Sequence, residues 1–169
     1  SPNSASRHID RARTLARESL AEARRSVWAL RPSALEHGKL ADALRGLAED
    51  LSEEGRVQVD CHITGGVRRL PPEIEDALLR ICQEALINIR RHAGATHAEV
   101  SLTIDNNIAR LAVRDDGVGF DLDIPREDSF GLIGIRERAN QCGGNVQISS
   151  RPGAGTLLEV EFPLEETGR

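Results

Sequence analysis

Asp115-Asp116-Gly117-Val118-Gly119-Phe120 follows an alternating run that contains Leu111 and Val113. The alternation predicts a half-buried strand, so Asp115 lies at the strand end. A carboxylate there accepts a hydrogen bond from an exocyclic amine such as that of adenine, and the glycines allow the backbone to approach a flat ring. An isolated Asp-Asp-Gly is more often a plain turn, so the interpretation depends on what accompanies it.

Two further stretches accompany it: Glu84-Ala85-Leu86-Ile87-Asn88 earlier in the chain and Gly131-Leu132-Ile133-Gly134 later. Glu84 and Asn88 are four residues apart and therefore share one face of a helix. An amide oxygen suits Mg²⁺, which commonly bridges phosphates, and Glu84 can orient or deprotonate a nucleophile or bind metal-bound water. Backbone amides at a helix start favour anions, so the later glycines form a candidate phosphate cradle. In this order the three stretches indicate a nucleotide pocket.

These features also have ordinary structural interpretations. Glu84 and Asn88 alone would suit an exposed polar helix face. Arg91 and His92, one turn further on, are placed where cations meet phosphate oxygens. The polar segment 120–130 is equally consistent with a mobile lid over a nucleotide and with a simple surface loop.

Other nucleotide-binding folds are excluded by what is missing. The chain has a single lysine, Lys39, and a P-loop would need glycine and Ser or Thr where Ser33 and Leu40 stand. The His-Arg-Asp signature of protein kinases is absent. Gly117 and Gly119 lack the third glycine of a dinucleotide-binding turn. An ATP site in this chain must therefore belong to a different fold.

Composition narrows the class of protein further. The net charge of −5 argues against a general nucleic-acid binder, although residues 1–31 are locally basic. The sequence contains neither an apolar run of the length of a membrane span nor a signal-peptide pattern. The three cysteines form no Cys-x-x-Cys pair, so we expect buried free thiols in a reducing cytoplasm rather than a zinc site.

Hydrophobic periodicity predicts an α+β fold in which helices cover one face of a mixed, largely antiparallel sheet, preceded by a long helical arm. Asn106-Asn107 and Pro152-Gly153-Ala154-Gly155 are typical of hairpin turns. The predicted helices cover residues 9–31, 40–54, 72–92 and 132–142, and the predicted strands cover 57–63, 97–105, 108–115, 145–150 and 156–162.

Four motifs follow one another in the chain and carry a family resemblance. They are Gln83-Glu84-Ala85-Leu86-x-Asn88-x-x-Arg91-His92-Ala93, Asp115 to Phe120, Gly131-Leu132-x-Gly134-x-Arg136-Glu137-Arg138, and Gly153-x-Gly155-Thr156. In this order they resemble the ATP-binding catalytic domain of bacterial two-component sensor histidine kinases, in the GHKL superfamily. Leu30-Arg31-Pro32 is typical of the subfamily that pairs with NarL-type response regulators.

The resemblance implies the Bergerat fold, a two-layer α/β sandwich that binds ATP and Mg²⁺. Asn88 is the implied Mg²⁺ ligand, and Glu84 is its polar catalytic partner near the γ-phosphate. Asp115 is the implied adenine-reading acid, and Asp116 stands where the family often has Asn. The other implied ATP-binding residues are Arg91 and His92 at the phosphates, Gly117 and Gly119 in a first glycine box, Gly131, Leu132 and Gly134 in a second, and Thr156 behind the adenine.

The resemblance also implies a domain boundary. Residues 1–31 correspond to the end of the second helix of a dimerising hairpin, and residues 32–169 to the catalytic domain. In the family the phosphoacceptor histidine lies on the first hairpin helix within a His-Asp motif, but His8 is followed by Ile9 and lies too close to Leu30-Arg31-Pro32. We therefore expect the acceptor to be absent from this sequence and autophosphorylation to be poor.

The implied partners are the acceptor hairpin of a homodimeric kinase and a NarL-type response regulator, with neither nucleic acid nor direct membrane contact for this part. Two alternatives stay open at this point. One is a GHKL serine kinase of the anti-sigma type, and the other is an interaction module that binds nucleotide without turnover.

Overall fold

A computed structural model describes residues 39–65, 70–105, 107–124 and 130–164. The predicted helical arm over residues 9–31 and the boundary after it lie outside this part of the chain. The elements in chain order are α1 (Lys39–Glu53), β1 (Gln58–Gly65), α2 (Pro72–Asn88) with a π-helical turn (Ile89–Ala93) directly after it, β2 (His97–Ile104), β3 (Ile108–Asp115), α3 (Phe130–Gln141), β4 (Asn145–Ser150) and β5 (Thr156–Pro163).

The strands form one five-stranded sheet in the order β1-β2-β3-β5-β4. Strand β1 runs parallel to β2, and the other neighbours are antiparallel, which confirms the mixed, largely antiparallel sheet. Between β2 and β3 the Asp105 carboxylate closes the hairpin, because it accepts hydrogen bonds from the backbone N–H groups of Asn107 and Ile108, both at 2.8 Å. Strand β4 returns into β5 with Ser150 opposite Thr156.

One face of the sheet is apolar and the other is charged. On β3 the side chains of Leu111, Val113 and Asp115 are buried, whereas Arg110 and Arg114, at alternate positions, are exposed. Arg110 forms a 2.6 Å ion pair with Glu161 across the exposed face. The three helices pack on the apolar face, so the predicted two-layer sandwich is confirmed.

The core is aliphatic, as the scarcity of aromatic residues requires. Its fully buried members include Leu44 of α1, Leu78 and Ile81 of α2, and Ile135 of α3, packed on the inner side chains of the sheet. Phe162 is the largest fully buried side chain among the residues whose side chains are described. A Cβ on Gly144 would stand 2.6 Å from its ring, so that glycine makes room for the aromatic.

All three cysteines are free thiols, but only Cys82 is buried as predicted. Its thiol is fully buried, and that burial raises its pKa well above the ordinary value. Cys61 and Cys142 are also free thiols but are only partly buried.

Two helix ends differ from the prediction. The helix that begins at Pro72 changes after Asn88 into the π-helical turn, which ends at Gly94 with a left-handed φ of 56°. Helix α3 begins at Phe130, two residues before the predicted start, because Gly131 takes helical backbone. Within the described ranges no helix has the length and apolar character needed to cross a membrane.

Candidate functional site

A mainly apolar cavity lies between the helical layer and the ends of β3, β4 and β5. The loop 116–120 covers one side of it, and the first turns of α3 cover another. Its apolar wall is formed by Ala85, Ile89, Val113, Ile135, Ile148 and Leu158, and its polar lining residues are Asn88, His92, Asp115 and Thr156. A cavity with apolar walls and a few polar groups is the arrangement expected for a flat heterocycle.

Asp115 is the buried acid of this cavity, with only 7% of its surface exposed. The backbone N–H of Gly117 donates a 2.8 Å hydrogen bond to its Oδ1 atom. Burial raises the pKa of Asp115, the neighbouring Asp116 charge adds to the rise, and the N–H groups of Gly117 and Thr156 partly oppose it. The structure thus holds a hydrogen-bond acceptor in an apolar cavity, where the sequence placed the adenine-reading acid.

The loop 116–120 is fixed from both sides by main-chain hydrogen bonds. Val118 N–H donates to the Ala93 carbonyl at the end of the π turn, at 2.8 Å. Its own carbonyl accepts from Gly153 N–H in the β4–β5 turn, at 2.6 Å. Gly117 fits this path closely, because a Cβ there would overlap the Ala93 carbonyl. Gly117 therefore shapes the loop beneath Asp115 but does not line the cavity.

Asp116 has a structural position that the sequence did not indicate. Its carboxylate accepts hydrogen bonds from Thr96 N–H at 2.8 Å, Thr96 Oγ1 at 2.7 Å and His97 N–H at 2.9 Å. These bonds fasten the end of β3 to the start of β2, and they lower the pKa of Asp116. An asparagine would keep an oxygen for both N–H groups, which accounts for the interchange of Asp and Asn expected at this position.

We expect Asp116→Ala to lower the melting temperature and Asp116→Asn to lower it less. Since the pKa is lowered in the folded state, this group stabilises the fold above its unfolded pKa and loses that effect as the pH falls through its folded pKa. The difference in melting temperature between the parent and Asp116→Ala should therefore shrink on acidification. Thermal unfolding of the three proteins at several pH values tests this, and equal melting temperatures at neutral pH would contradict it.

Glu84 and Gly131 lie close to Asn88, which lines the cavity. A Cβ on Gly131 would stand 2.7 Å from Glu84 Oε1 and 3.3 Å from both Oδ1 and Nδ2 of Asn88. Because Gly131 has no side chain, a small space remains beside two potential metal-ligand oxygens, those of the Glu84 carboxylate and the Asn88 amide. We call this space, next to the N-terminus of α3, the Glu84–Asn88–Gly131 cradle. Such a donor set suits Mg²⁺, which takes few protein ligands and keeps water or phosphate oxygens for the rest. In the described residues no group of three or more His, Cys, Asp or Glu side chains is arranged so that it could hold a metal ion.

The π turn separates the two basic residues that the sequence grouped together. Both side chains are exposed, but His92, four residues after Asn88, lines the cavity and Arg91 does not. In a π turn each residue advances through a smaller angle than in an α-helix, so the face that continues from Asn88 contains His92. Arg90 points elsewhere and forms a 3.0 Å ion pair with Glu54 beyond the end of α1.

Of the second glycine motif (Gly131, Leu132 and Gly134), only one residue lines the cavity. Leu132 lines the cavity, while Gly134 lies in α3 with open space where a Cβ would be. Residues 125–129 of the predicted lid lie outside the described part of the chain.

Ser150, at the end of β4, has a role that no sequence pattern predicts. Its hydroxyl accepts a hydrogen bond from Phe120 N–H at 2.9 Å and lies 3.1 Å from Thr156 Oγ1. It also donates to the Gly155 carbonyl at 2.9 Å. Only a Ser beside a turn was visible in the sequence, because its partner Phe120 is distant in the chain.

Comparison with known proteins identifies relatives. Residues 73–166, more than half of the chain, match the family described as Histidine kinase-, DNA gyrase B-, and HSP90-like ATPase. The histidine-protein kinase/phosphatase DegS of Brevibacillus brevis is 36% identical over 152 residues, which are 90% of this chain and 39% of DegS. The sensor histidine kinase LiaS of Bacillus subtilis is 36% identical over 156 residues, which are 91% of this chain and 43% of LiaS. The chain thus spans about two fifths of the length of these relatives.

Solved structures show the same fold. The histidine kinase domain of the blue-light activated kinase EL346 of Erythrobacter litoralis matches with a TM-score of 0.58 at 23% identity, over 74% of this chain and 61% of that chain. The mycobacterial sensor histidine kinase MprB matches with a TM-score of 0.54 at 17% identity, over 73% of this chain and 93% of that chain.

Proposed function

Because this chain belongs to the family of histidine kinase-, DNA gyrase B- and HSP90-like ATPases, we propose that it is the ATP- and Mg²⁺-binding catalytic domain of a sensor histidine kinase. The observation that carries the proposal is the pairing of two sites in one cavity. Asp115 provides a buried acceptor for adenine, and the Glu84–Asn88–Gly131 cradle provides oxygen ligands for a metal ion beside Asn88, which lines the same cavity. The relatives named above are kinases, which favours phosphoryl transfer over nucleotide binding alone.

In this proposal the apolar wall holds the adenine ring, and Asp115 accepts from its exocyclic amine. Asn88 and Glu84 hold Mg²⁺ at the phosphates, where His92 and the amides at the start of α3 contribute further donors. When bound, Mg²⁺ neutralises charge on the transferred phosphoryl group. Arg91 is exposed in the structure and serves as a phosphate contact only if its long side chain turns towards the cavity mouth.

The nucleophile is a histidine imidazole that Glu84 orients by accepting its other N–H. The bond between the γ-phosphorus and the bridging oxygen breaks, the bond to the imidazole nitrogen forms, and ADP leaves. The walls of the cavity keep the reacting groups in line, so catalysis is mainly positioning.

The acceptor histidine comes from outside residues 32–169, which form the catalytic domain in this proposal. Residues 1–31 are the end of the second helix of a dimerising hairpin in the cytoplasm, and the acceptor lies on the first helix. The phosphoryl group then passes to a response regulator of the NarL type. Neither a serine kinase nor a binding-only module is favoured by a specific observation in the described residues.

We expect Asn88→Ala to weaken ATP binding about tenfold or more in the presence of Mg²⁺, because it removes an oxygen donor from the metal cradle. In the variant, addition of Mg²⁺ should change ATP affinity much less than in the parent. Calorimetric titration with a non-hydrolysable ATP analogue, with and without Mg²⁺, measures both quantities. Asn140→Ala, an exposed asparagine on α3, is the matched control and should bind like the parent.

Phosphoryl transfer needs a second experiment. A separately produced acceptor hairpin of this kinase class, mixed with this chain, ATP and Mg²⁺, should gain an acid-labile phosphohistidine, while the chain alone should gain none. Acid-stable phosphoserine would identify a serine kinase instead. ATP binding without transfer to the hairpin would reduce the domain to a nucleotide-binding module.

A further inference from the structure

Ser150 joins three parts of the cavity through one hydroxyl group. Its oxygen lies within hydrogen-bond distance of Phe120 N–H in the loop 116–120, of the Gly155 carbonyl in the β4–β5 turn, and of the Thr156 hydroxyl. Thr156 and Phe120 line the cavity beside Asp115. Ser150 itself does not line it, so any role it has at the site acts through these neighbours.

The direction of each hydrogen bond follows from counting protons. Phe120 N–H can only donate, and the Gly155 carbonyl can only accept. Gly155 is buried, and within the described residues its carbonyl has no hydrogen-bond donor other than the Ser150 hydroxyl, at 2.9 Å. Because a buried carbonyl requires a partner, the single Ser150 proton goes to Gly155. The remaining bond, 3.1 Å long, must then be donated by Thr156 to Ser150.

This arrangement commits the Thr156 proton to Ser150. The Thr156 oxygen is therefore left with lone pairs only for a group in the cavity, where it acts as an acceptor. Asp115 on the neighbouring strand, directly opposite Thr156, is an acceptor as well. Both polar groups at this end of the cavity, Thr156 and Asp115, can thus only accept hydrogen bonds from a ligand.

We propose that Ser150 is a positioning residue that makes Thr156 a hydrogen-bond acceptor and thereby selects a purine with an amino group over one with a carbonyl at the same position. The inference rests on the proposed function, since it concerns the adenine end of the ATP site. A ligand oxygen at this position would meet two acceptors and no donor, which leaves buried polar groups unpaired. With the Ser150 hydroxyl removed, the Thr156 hydroxyl can rotate and donate to such an oxygen.

The test compares binding of ATP with binding of inosine triphosphate, which carries a carbonyl in place of the amine and a hydrogen on the adjacent ring nitrogen. Because the ligand pair is the same for every variant, only the change in the affinity ratio between variants is interpreted. In the parent, ATP should bind the more tightly. Ser150→Ala should reduce the ratio of the two affinities about fivefold to tenfold, the effect of about one hydrogen bond. Ser150→Thr keeps the hydroxyl and should restore the ratio. Ser149→Ala, on the adjacent residue with its exposed side chain on the opposite sheet face, is the matched control and should leave the ratio unchanged.

The ratio of the two affinities distinguishes a positioning role of Ser150 from simple support of the loop 116–120. If Ser150 only braces the loop 116–120, both triphosphates will bind more weakly by the same factor and the ratio will stay constant, which overturns the inference. If Ser150→Ala folds poorly, Thr156→Val provides a second test. This variant should lower the affinity ratio by a similar factor. An unchanged ratio contradicts the inference. If the folded parent binds neither triphosphate, the proposed function itself fails, whereas a parent that binds ATP with a ratio insensitive to Ser150 refutes this inference alone.

Discussion

Asp115→Asn will weaken ATP binding about 100-fold and, at neutral pH, will make the empty domain more stable. The loss of affinity follows from the exchange of a carboxylate, which only accepts hydrogen bonds, for an amide that also donates. Asn can keep the 2.8 Å bond from Gly117 N–H, so the loop beneath it is preserved. The gain in stability follows from removing a charge that is buried in an apolar cavity.

The direction in which pH changes the stability difference between the parent and Asp115→Asn can be predicted. Burial raises the pKa of Asp115 in the folded state. A group with a raised folded pKa stabilises the fold below its unfolded pKa, and that contribution is lost as the pH rises through the folded pKa. The stability advantage of Asp115→Asn should therefore be small in acid and grow as the pH rises through the folded pKa. ATP affinity of the parent should change in the same range, since the amine of adenine prefers the ionised carboxylate.

Urea unfolding of the empty proteins between acid and neutral pH, with calorimetric titration of ATP, measures both effects. Asp105→Asn is the matched control, because Asp105 also accepts backbone hydrogen bonds but lies exposed in the β2–β3 turn. Those bonds lower the pKa of Asp105, so its replacement should destabilise the domain at neutral pH and leave ATP binding intact. A loss of stability in Asp115→Asn would show that its carboxylate is better paired than its burial indicates.

The sheet could be predicted from the sequence because each strand has one buried face. The alternation of Leu111 and Val113 with exposed arginines is a local pattern, and it also places Asp115 on the buried side. That is why the acid at the strand end could be singled out before its cavity was known. The helical layer could be predicted for the same reason, since periodic apolar residues need a surface on which to pack.

The remaining features depend on contacts between distant parts of the chain. Ile89–Ala93 has nothing in its sequence to distinguish a π turn from a continuing α-helix, so the different positions of Arg91 and His92 could not be predicted. The motif places Asp116 with its neighbour Asp115, whereas its partners Thr96 and His97 lie at the start of another strand. Such pairings exist only once the strands have assembled.

Gly119→Ala will unfold the nucleotide site and lower the stability of the domain by about 3 kcal/mol or more. Gly119 has a φ of 58°, which disfavours a side chain by about 1–2 kcal/mol. In addition, a Cβ there would overlap the Arg151 carbonyl and stand 2.8 Å from the Gly155 carbonyl. Both obstacles are backbone atoms of the β4–β5 turn, so neither can move aside as a flexible side chain would.

Relief of this overlap requires the loop 116–120 to separate from that turn. The hydrogen bonds from Gly153 N–H to Val118 and from Phe120 N–H to Ser150 would then be lost together. We therefore expect ATP binding to disappear along with the stability, as calorimetry and urea unfolding would show.

Gly143→Ala separates the effect of a positive φ from the effect of steric overlap, because Gly143 has a φ of 70° but open space around its Cβ position. It should lose only about 1 kcal/mol and still bind ATP. If the two variants lost equal stability, the effect at Gly119 would come from its backbone conformation alone and the loop would not depend on close contact with the turn. A larger loss at Gly119, with loss of ATP binding only there, would show that ATP binding depends on close contact between the loop 116–120 and the β4–β5 turn.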